Sequence, residues 1–186
     1  METAGRPLGA SEIDAANLVD LGALLDDVVA ALDGQIRSAG AQLELQPLPS
    51  VRGDGDSLYR ILGNLIENAL KYHPADAAPR ISVSGVIIDG RCEISVRDHG
   101  IGIFPTEREA IFEVHARGDA VSEFQGGGVG LSTVRALMEQ QHGRGWVDPA
   151  VTDGACFRAL ATRRLDAAPP VLQRSGRPLP LWSRCA

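Results

Sequence analysis

Apolar residues recur at Leu18, Leu21, Leu24, Leu25, Val28, Val29 and Leu32. That three-to-four spacing lays one face of a helix against a core, and it predicts a helix over "NLVDLGALLDDVVAALDGQIRSAG" with Gly40 as its C-cap. A stronger helix is predicted over "GDGDSLYRILGNLIENALKYHP", with Leu58, Ile61, Leu62, Leu65, Ile66, Ala69 and Leu70 as its stripe. Asp54 or Asp56 suits its start, and Pro74 ends it. Helical spacing resumes over residues 129–142, "VGLSTVRALMEQQH", and "TEREAIFEV" reads as a short helix before it.

Elsewhere the period changes to two. "AQLELQPLP" alternates like a strand and stops at Pro47 and Pro49. "RISVSGVII" and "RCEISVRD" are two more strands, and the Asp89-Gly90 pair between them is a hairpin signal. "RGWVDPAV" and "GACFRALATRR" read as the last two, while "HARGDAVSEFQGGG" has no periodicity. Hairpins interleaved with helices predict an α+β fold: a two-layer α/β sandwich, its mixed and mostly antiparallel sheet covered on one face by helices. A doubly wound parallel fold does not fit that order.

Composition narrows the picture. In 186 residues, 44% are hydrophobic but only 4% aromatic, so Leu, Val, Ile and Ala must fill the core. The net charge of −6 argues against a general nucleic-acid binder, though not against a local basic pocket for phosphates. The three cysteines, Cys92, Cys156 and Cys185, form no CxxC pair, which argues against a zinc site or a disulfide framework. No run is apolar enough for a membrane span, and the N-terminus lacks a signal-peptide core; a cytoplasmic protein without membrane contact is expected. Residues 1–16 are expected to be disordered, 17–164 to form one domain, and 165–186 to be a disordered tail. From Arg164 onward that tail holds four prolines and four arginines against one aspartate.

Three stretches carry candidate chemistry. Asn64, Asn68, Lys71 and Tyr72 are spaced to share one helical face. Two amides and an ammonium there suit a metal–phosphate group, since magnesium takes hard oxygen donors; a plain solvated face would look the same. Asp98 closes a strand, with Gly100 and Gly102 on either side of Ile101. Its carboxylate could accept a hydrogen bond from an exocyclic amine while the glycines admit a flat ring, or it could form an Asx turn. "GGGVGLS" places Gly126, Gly127, Gly128 and Gly130 at the opening of a helix, an anion-favouring arrangement without the Walker A pattern.

Taken in order, these motifs resemble the ATP-binding domain of sensor histidine kinases, in the Bergerat superfamily with gyrase-type ATPases, heat-shock chaperones and mismatch-repair proteins. The resemblance covers roughly residues 17–163. "NLIENALKYH" is similar to the family's asparagine box, "RDHGIGI" to its first glycine box, "IFEVHARG" to its phenylalanine box and "GGGVGLSTV" to its second glycine box. It implies a Bergerat fold with a mobile ATP lid over residues 115–127, and it implies ATP and Mg2+ as ligands. Asn68 would coordinate magnesium, with Asn64 nearby, and Asn68 and Lys71 would serve the chemistry. Tyr72 would lie near the adenine or ribose. Asp98 would accept the adenine amino group, with Gly100, Gly102 and Ile103 shaping the pocket. Arg117 would reach a phosphate, and Gly126, Gly128, Val129, Gly130, Leu131 and Ser132 would close on the triphosphate.

In the hydrolysing branches of the family, a glutamate stands four residues before the magnesium asparagine. Here that position is Asn64, while Glu67 points along a different bearing, which favours phosphoryl transfer over hydrolysis. The four histidines, His73, His99, His115 and His142, lie at motif edges or in the lid. The acceptor is therefore expected on a histidine-containing dimerisation or phosphotransfer domain outside this sequence, with a response regulator as a further partner. An anti-sigma-factor type serine/threonine kinase and a non-catalytic nucleotide-binding module stay as alternatives. "HGRG" departs from the family's common HGG, at the edge of a terminal strand.

Overall fold

A computed structural model describes residues 18–113 and 130–163. Along the chain run β1 (Leu18–Asp20), α1 (Leu21–Ala39), β2 (Gln42–Leu45), β3 (Ser50–Arg52) and α2 (Gly55–Lys71). The hairpin strands β4 (Arg80–Ile88) and β5 (Arg91–Asp98) follow, then a 3-10 turn (Ala110–Phe112), α3 (Gly130–Gln140), β6 (Arg144–Val147) and β7 (Ala155–Arg163). The main sheet has the order β2-β4-β5-β7-β6. Only β2 and β4 run parallel; β4/β5, β5/β7 and β6/β7 are antiparallel. This is the mixed, mostly antiparallel α+β sandwich the sequence predicts.

Local chemistry sets the element ends. Asp20 caps α1, its Oδ1 accepting from the Gly22 and Ala23 amides at 2.9 and 3.2 Å. Gly40 closes α1 in the left-handed region at φ 61°. Of the two candidate caps for α2, Asp54 is the one used, accepting from the Ser57 amide at 3.0 Å. Asp89 and Gly90 both adopt positive φ, 50° and 76°, as a two-residue hairpin matching strand twist requires.

Two expectations are corrected. Residues 18–20 are a strand, not the first turn of α1, because capping by Asp20 fixes the helix start one residue later. That strand pairs antiparallel with β3, Val19 opposite Val51, and a three-residue strand is too short to show a period. Of "TEREAIFEV", the described residues 106–113 are turns and the 3-10 turn rather than a helix; so short a run does not recover the cost of helix nucleation.

Inward-facing residues of β5, Cys92, Ile94 and Val96, are buried under the helices, as are Ile81 and Val83 of β4. α2 lies between α1 and α3 and supplies the centre of the core, with Leu58, Ile61, Leu62, Leu65 and Ile66 fully enclosed. The opposite sheet face carries an ion-pair network, with Arg158 bridging Glu93 and Asp148, beside the exposed Val86 and Ile88. The segments 1–16 and 165–186, the expected lid, and the residues Arg117, Gly126, Gly128 and Val129 fall outside the described residues.

Candidate functional site

Three elements converge at one end of the helical layer: the exposed edge of α2, the turn after β5 and the first turn of α3. α2 brings Asn64, Asn68 and Lys71 to one side. Asn64 Nδ2 donates to the Arg60 carbonyl at 2.7 Å, which fixes the amide plane. Its Oδ1 then faces α3 and stands 3.0 Å from where a β-carbon on Gly130 would sit. Asn68 Nδ2 lies 3.7 Å from that same point and is buried without a hydrogen-bond partner. Such an orphan is rare in a folded interior. Lys71 Nζ donates to the Tyr72 hydroxyl at 3.1 Å and stands 4.7 Å over its ring, so ammonium and phenol form one unit at the end of α2. Leu131, in the first turn of α3, packs against the core, and Ser132 follows it.

Asp98 faces the helices like the rest of its side of β5, yet it is a carboxylate only 6% exposed. Its Oδ1 accepts from the Gly100 amide at 2.8 Å and the Ala155 amide at 3.1 Å. Both bonds fall on one oxygen, Oδ1. Burial pushes the Asp98 pKa above the usual carboxylate range, against the opposing pull of the two amide bonds and the His99 and Arg97 charges.

The turn itself explains both glycines. The Ile101 amide donates to the Tyr72 carbonyl at 3.1 Å, joining the turn to the end of α2. A β-carbon on Gly100 would overlap that carbonyl and stand 2.8 Å from Asp98 Oδ1. Gly102 adopts φ 75°, and a β-carbon there would stand 3.3 Å from the Gly154 carbonyl oxygen. Ile103 is half-buried against the core. The predicted residues Asn64, Asn68, Lys71, Tyr72, Asp98, Gly100, Gly102, Ile103, Gly130, Leu131 and Ser132 thus belong to one region.

Ala155, Gly154, Asp153 and Arg97 were not singled out from the sequence. The Thr-Asp-Gly-Ala turn before β7 was the available signal, but nothing local says that it folds back onto Asp98.

The site has a buried acceptor aimed into a glycine-lined turn and, one helix end away, an amide pair beside a helix N-terminus. A family model described as "Histidine kinase-, DNA gyrase B-, and HSP90-like ATPase" matches residues 53–164. The chain belongs to this ATPase family. It is 33% identical over 143 residues to cyanobacterial phytochrome A of a Nostoc species, covering 77% of this chain and 19% of that protein. It is 33% identical over 112 residues to the adaptive-response sensory kinase SasA of Rippkaea orientalis, covering 60% of this chain and 28% of that one. The chain thus spans about a fifth to just over a quarter of the length of these relatives. Among solved structures, the mycobacterial sensor histidine kinase MprB superposes with a TM-score of 0.67 at 28% identity, covering 79% of this chain and 97% of that one. Full-length ShkA in complex with AMPPNP gives 0.68 at 30% identity, covering 81% of this chain and 31% of ShkA. No described helix of this ATPase-family chain is long and apolar enough to cross a membrane.

Proposed function

We propose that this chain binds Mg-ATP as the catalytic domain of a two-component sensor histidine kinase and donates the γ-phosphate to a histidine on a dimerisation or phosphotransfer domain. The buried Asp98 carboxylate carries the reading, because both protein hydrogen bonds sit on Oδ1 and Oδ2 is left for the 6-amino group of adenine. A guanine would present a carbonyl there, and two acceptors would face each other.

The donor set also fits magnesium. Among the described residues no three His, Cys, Asp or Glu side chains gather as a metal cage, whereas Mg2+ is held by one or two hard oxygens plus phosphate and water. The Asn68 amide, buried and lacking a partner on Nδ2, would hold the ion through its oxygen, with Asn64 beside it. Bound there, the ion would neutralise charge on the phosphates. Lys71 would meet the phosphates from the end of α2. Gly130 would let the N-terminus of α3 approach the amide pair, and the α3 dipole favours anions there. Arg117, Gly126, Gly128 and Val129 would complete the phosphate side. No carboxylate stands at the Asn64 position to activate water, which supports transfer over hydrolysis. Phosphoryl transfer rests on positioning and charge stabilisation.

Titration calorimetry with Mg-ATP tests the binding. Saturable binding that Asp98→Asn weakens strongly is expected, and the absence of binding overturns the reading. Transfer is tested with radiolabelled ATP and a histidine-containing partner domain. Acid-labile label on the partner is expected, and acid-stable label would point to serine or threonine instead.

A further inference from the structure

The segment between β6 and β7 touches the adenine turn at three points. The Ala155 amide supplies one of the two hydrogen bonds on Asp98 Oδ1, at 3.1 Å. Gly154 adopts φ 96°, and a β-carbon on it would overlap the Asp98 carbonyl and stand 2.7 Å from the His99 Cα. On the other side, its own carbonyl abuts Gly102. Such close backbone approach is open only to glycine.

Two arginines hold this segment in place. Arg97, the residue before Asp98, places Nη2 at 2.8 and 3.0 Å from the two carboxylate oxygens of Asp153. Arg108, beyond the turn, donates to the Pro149 carbonyl at 3.1 Å and reaches the Val151 carbonyl at 3.4 Å. The Arg97 side chain is 17% exposed and the Asp153 carboxylate 68%. The ion pair thus links the exposed Asp153 of the loop to the half-buried Arg97 of the central strand β5.

We propose that the Asp153–Ala155 segment, held by the Arg97–Asp153 ion pair, is a positioning element that aims the Asp98 carboxylate at the base and thereby sets the preference for a nucleotide carrying an exocyclic amine. These are positioning residues: they act through Asp98. The inference rests on the ATP reading above and adds the part of the chain that fixes the base specificity. If the segment shifts, the Ala155 amide leaves Oδ1, and the carboxylate rotates away from the geometry that a directional hydrogen bond needs.

The test compares two ligands on the intact chain by titration calorimetry: Mg-ATP, and the Mg complex of purine riboside triphosphate, which lacks the 6-amino group. Asp153→Ala truncates an exposed side chain and leaves the core intact, whereas Gly154→Ala endangers the fold. Wild type is expected to prefer ATP. Asp153→Ala and Arg97→Gln are each expected to weaken ATP by about tenfold, the scale of one well-aimed hydrogen bond to a charged group, while leaving the analogue's affinity unchanged. The double variant should lose no more than either alone, since both break one linkage. Equal losses for the two ligands, or no loss, would overturn the proposal while leaving the ATP reading standing. If wild type binds neither ligand, both fall.

Discussion

The Asn64 side-chain oxygen faces Gly130, and a β-carbon at Gly130 would come within 3.0 Å of it. That approach is tighter than real side chains normally make, and Asn64 is not free to turn, because its Nδ2 is bonded to the Arg60 carbonyl. Gly130 therefore sets how near α3 stands to the amide face of α2. Gly130→Ala should destabilise the fold by about 1–3 kcal/mol, the usual cost of overpacking. In an Asn64→Ala background the clash is gone, and the same substitution should raise stability by about 0.5–1 kcal/mol through helix propensity. Thermal melts of the four-protein cycle read the sign change; additivity would contradict the contact.

Gly100→Ala should be more severe. Its β-carbon would collide with the Tyr72 carbonyl, a backbone atom that cannot swing aside, and would break the Ile101–Tyr72 bond that joins the turn after β5 to α2. A loss of about 3 kcal/mol is expected, the upper range for a single substitution with a named steric cause. Denaturant unfolding measures it. A variant as stable as wild type would mean that the turn and α2 move independently.

If it accepts the adenine amine as proposed, Asp98 trades stability for binding. A carboxylate with a raised pKa is protonated more readily in the folded than in the unfolded chain. Its contribution to stability is therefore present below the unfolded value of about 4 and is lost as pH rises through the higher folded value. At neutral pH the buried anion is a liability, so Asp98→Asn should raise the Tm of the ligand-free protein while weakening Mg-ATP, as expected where a binding group costs stability. Its single side-chain oxygen can still accept both backbone bonds. The Tm advantage should shrink as pH is lowered toward 4, and wild-type ATP affinity should fall over the same range as Asp98 protonates. Differential scanning calorimetry across pH, paired with titrations, checks both arms.

The buried thiol of Cys92 is the clearest inert group. Desolvation, reinforced by the Glu93 charge, pushes its pKa up to about 11, so almost no thiolate exists at neutral pH, and the thiolate is the reactive form. Cys92 should resist alkylation by iodoacetamide at pH 7.5 in the native protein and react fully in denaturant. Peptide mass mapping of the alkylated chain decides it.

The sheet and helices were legible because long periodic runs carry their own signal: β4 and β5 were read to the residue from alternation and the Asp89-Gly90 turn. β1 and β3 were not, because three-residue strands hold no period and depend on Val19 meeting Val51 across thirty residues of intervening chain. The same limit divided the candidate site. Asn64, Asn68 and Lys71 share a helix face whose spacing is local, and Asp98, Gly100 and Gly102 share a turn. The Ala155 amide on Asp98 joins residues 57 positions apart, and it is the β5/β7 register, a non-local pairing, that brings them together. Gly154 read as an ordinary turn glycine because its reason, the Asp98 backbone, arrives from another strand.

On the far side of the sheet, Arg158 bridges Glu93 and Asp148, two carboxylates that are mostly buried. Burial opposes the guanidinium charge, but its bonds to Glu93 and Asp148 outweigh that and hold Arg158 firmly protonated. For Asp148, burial pushes the pKa upward, and it ends below the usual range because the Ala150 amide, Arg158 and Arg108 together prevail. Removing Arg158 leaves two like charges facing a half-dry pocket. Arg158→Met keeps the apolar stem and should cost about 2 kcal/mol at pH 7, below the 3–5 kcal/mol of a fully buried pair because part of the guanidinium is still hydrated. In wild type, the depressed Asp148 stabilises the fold above the unfolded pKa near 4 and loses that contribution as pH falls through its lower folded value. In the variant Asp148 loses the Arg158 contribution and protonates earlier as pH falls, so the gap between the two proteins should narrow steadily from pH 6 to pH 4. Urea unfolding at each pH measures it. A gap that stays constant would show that the loss comes from packing of the arginine stem and not from its charge.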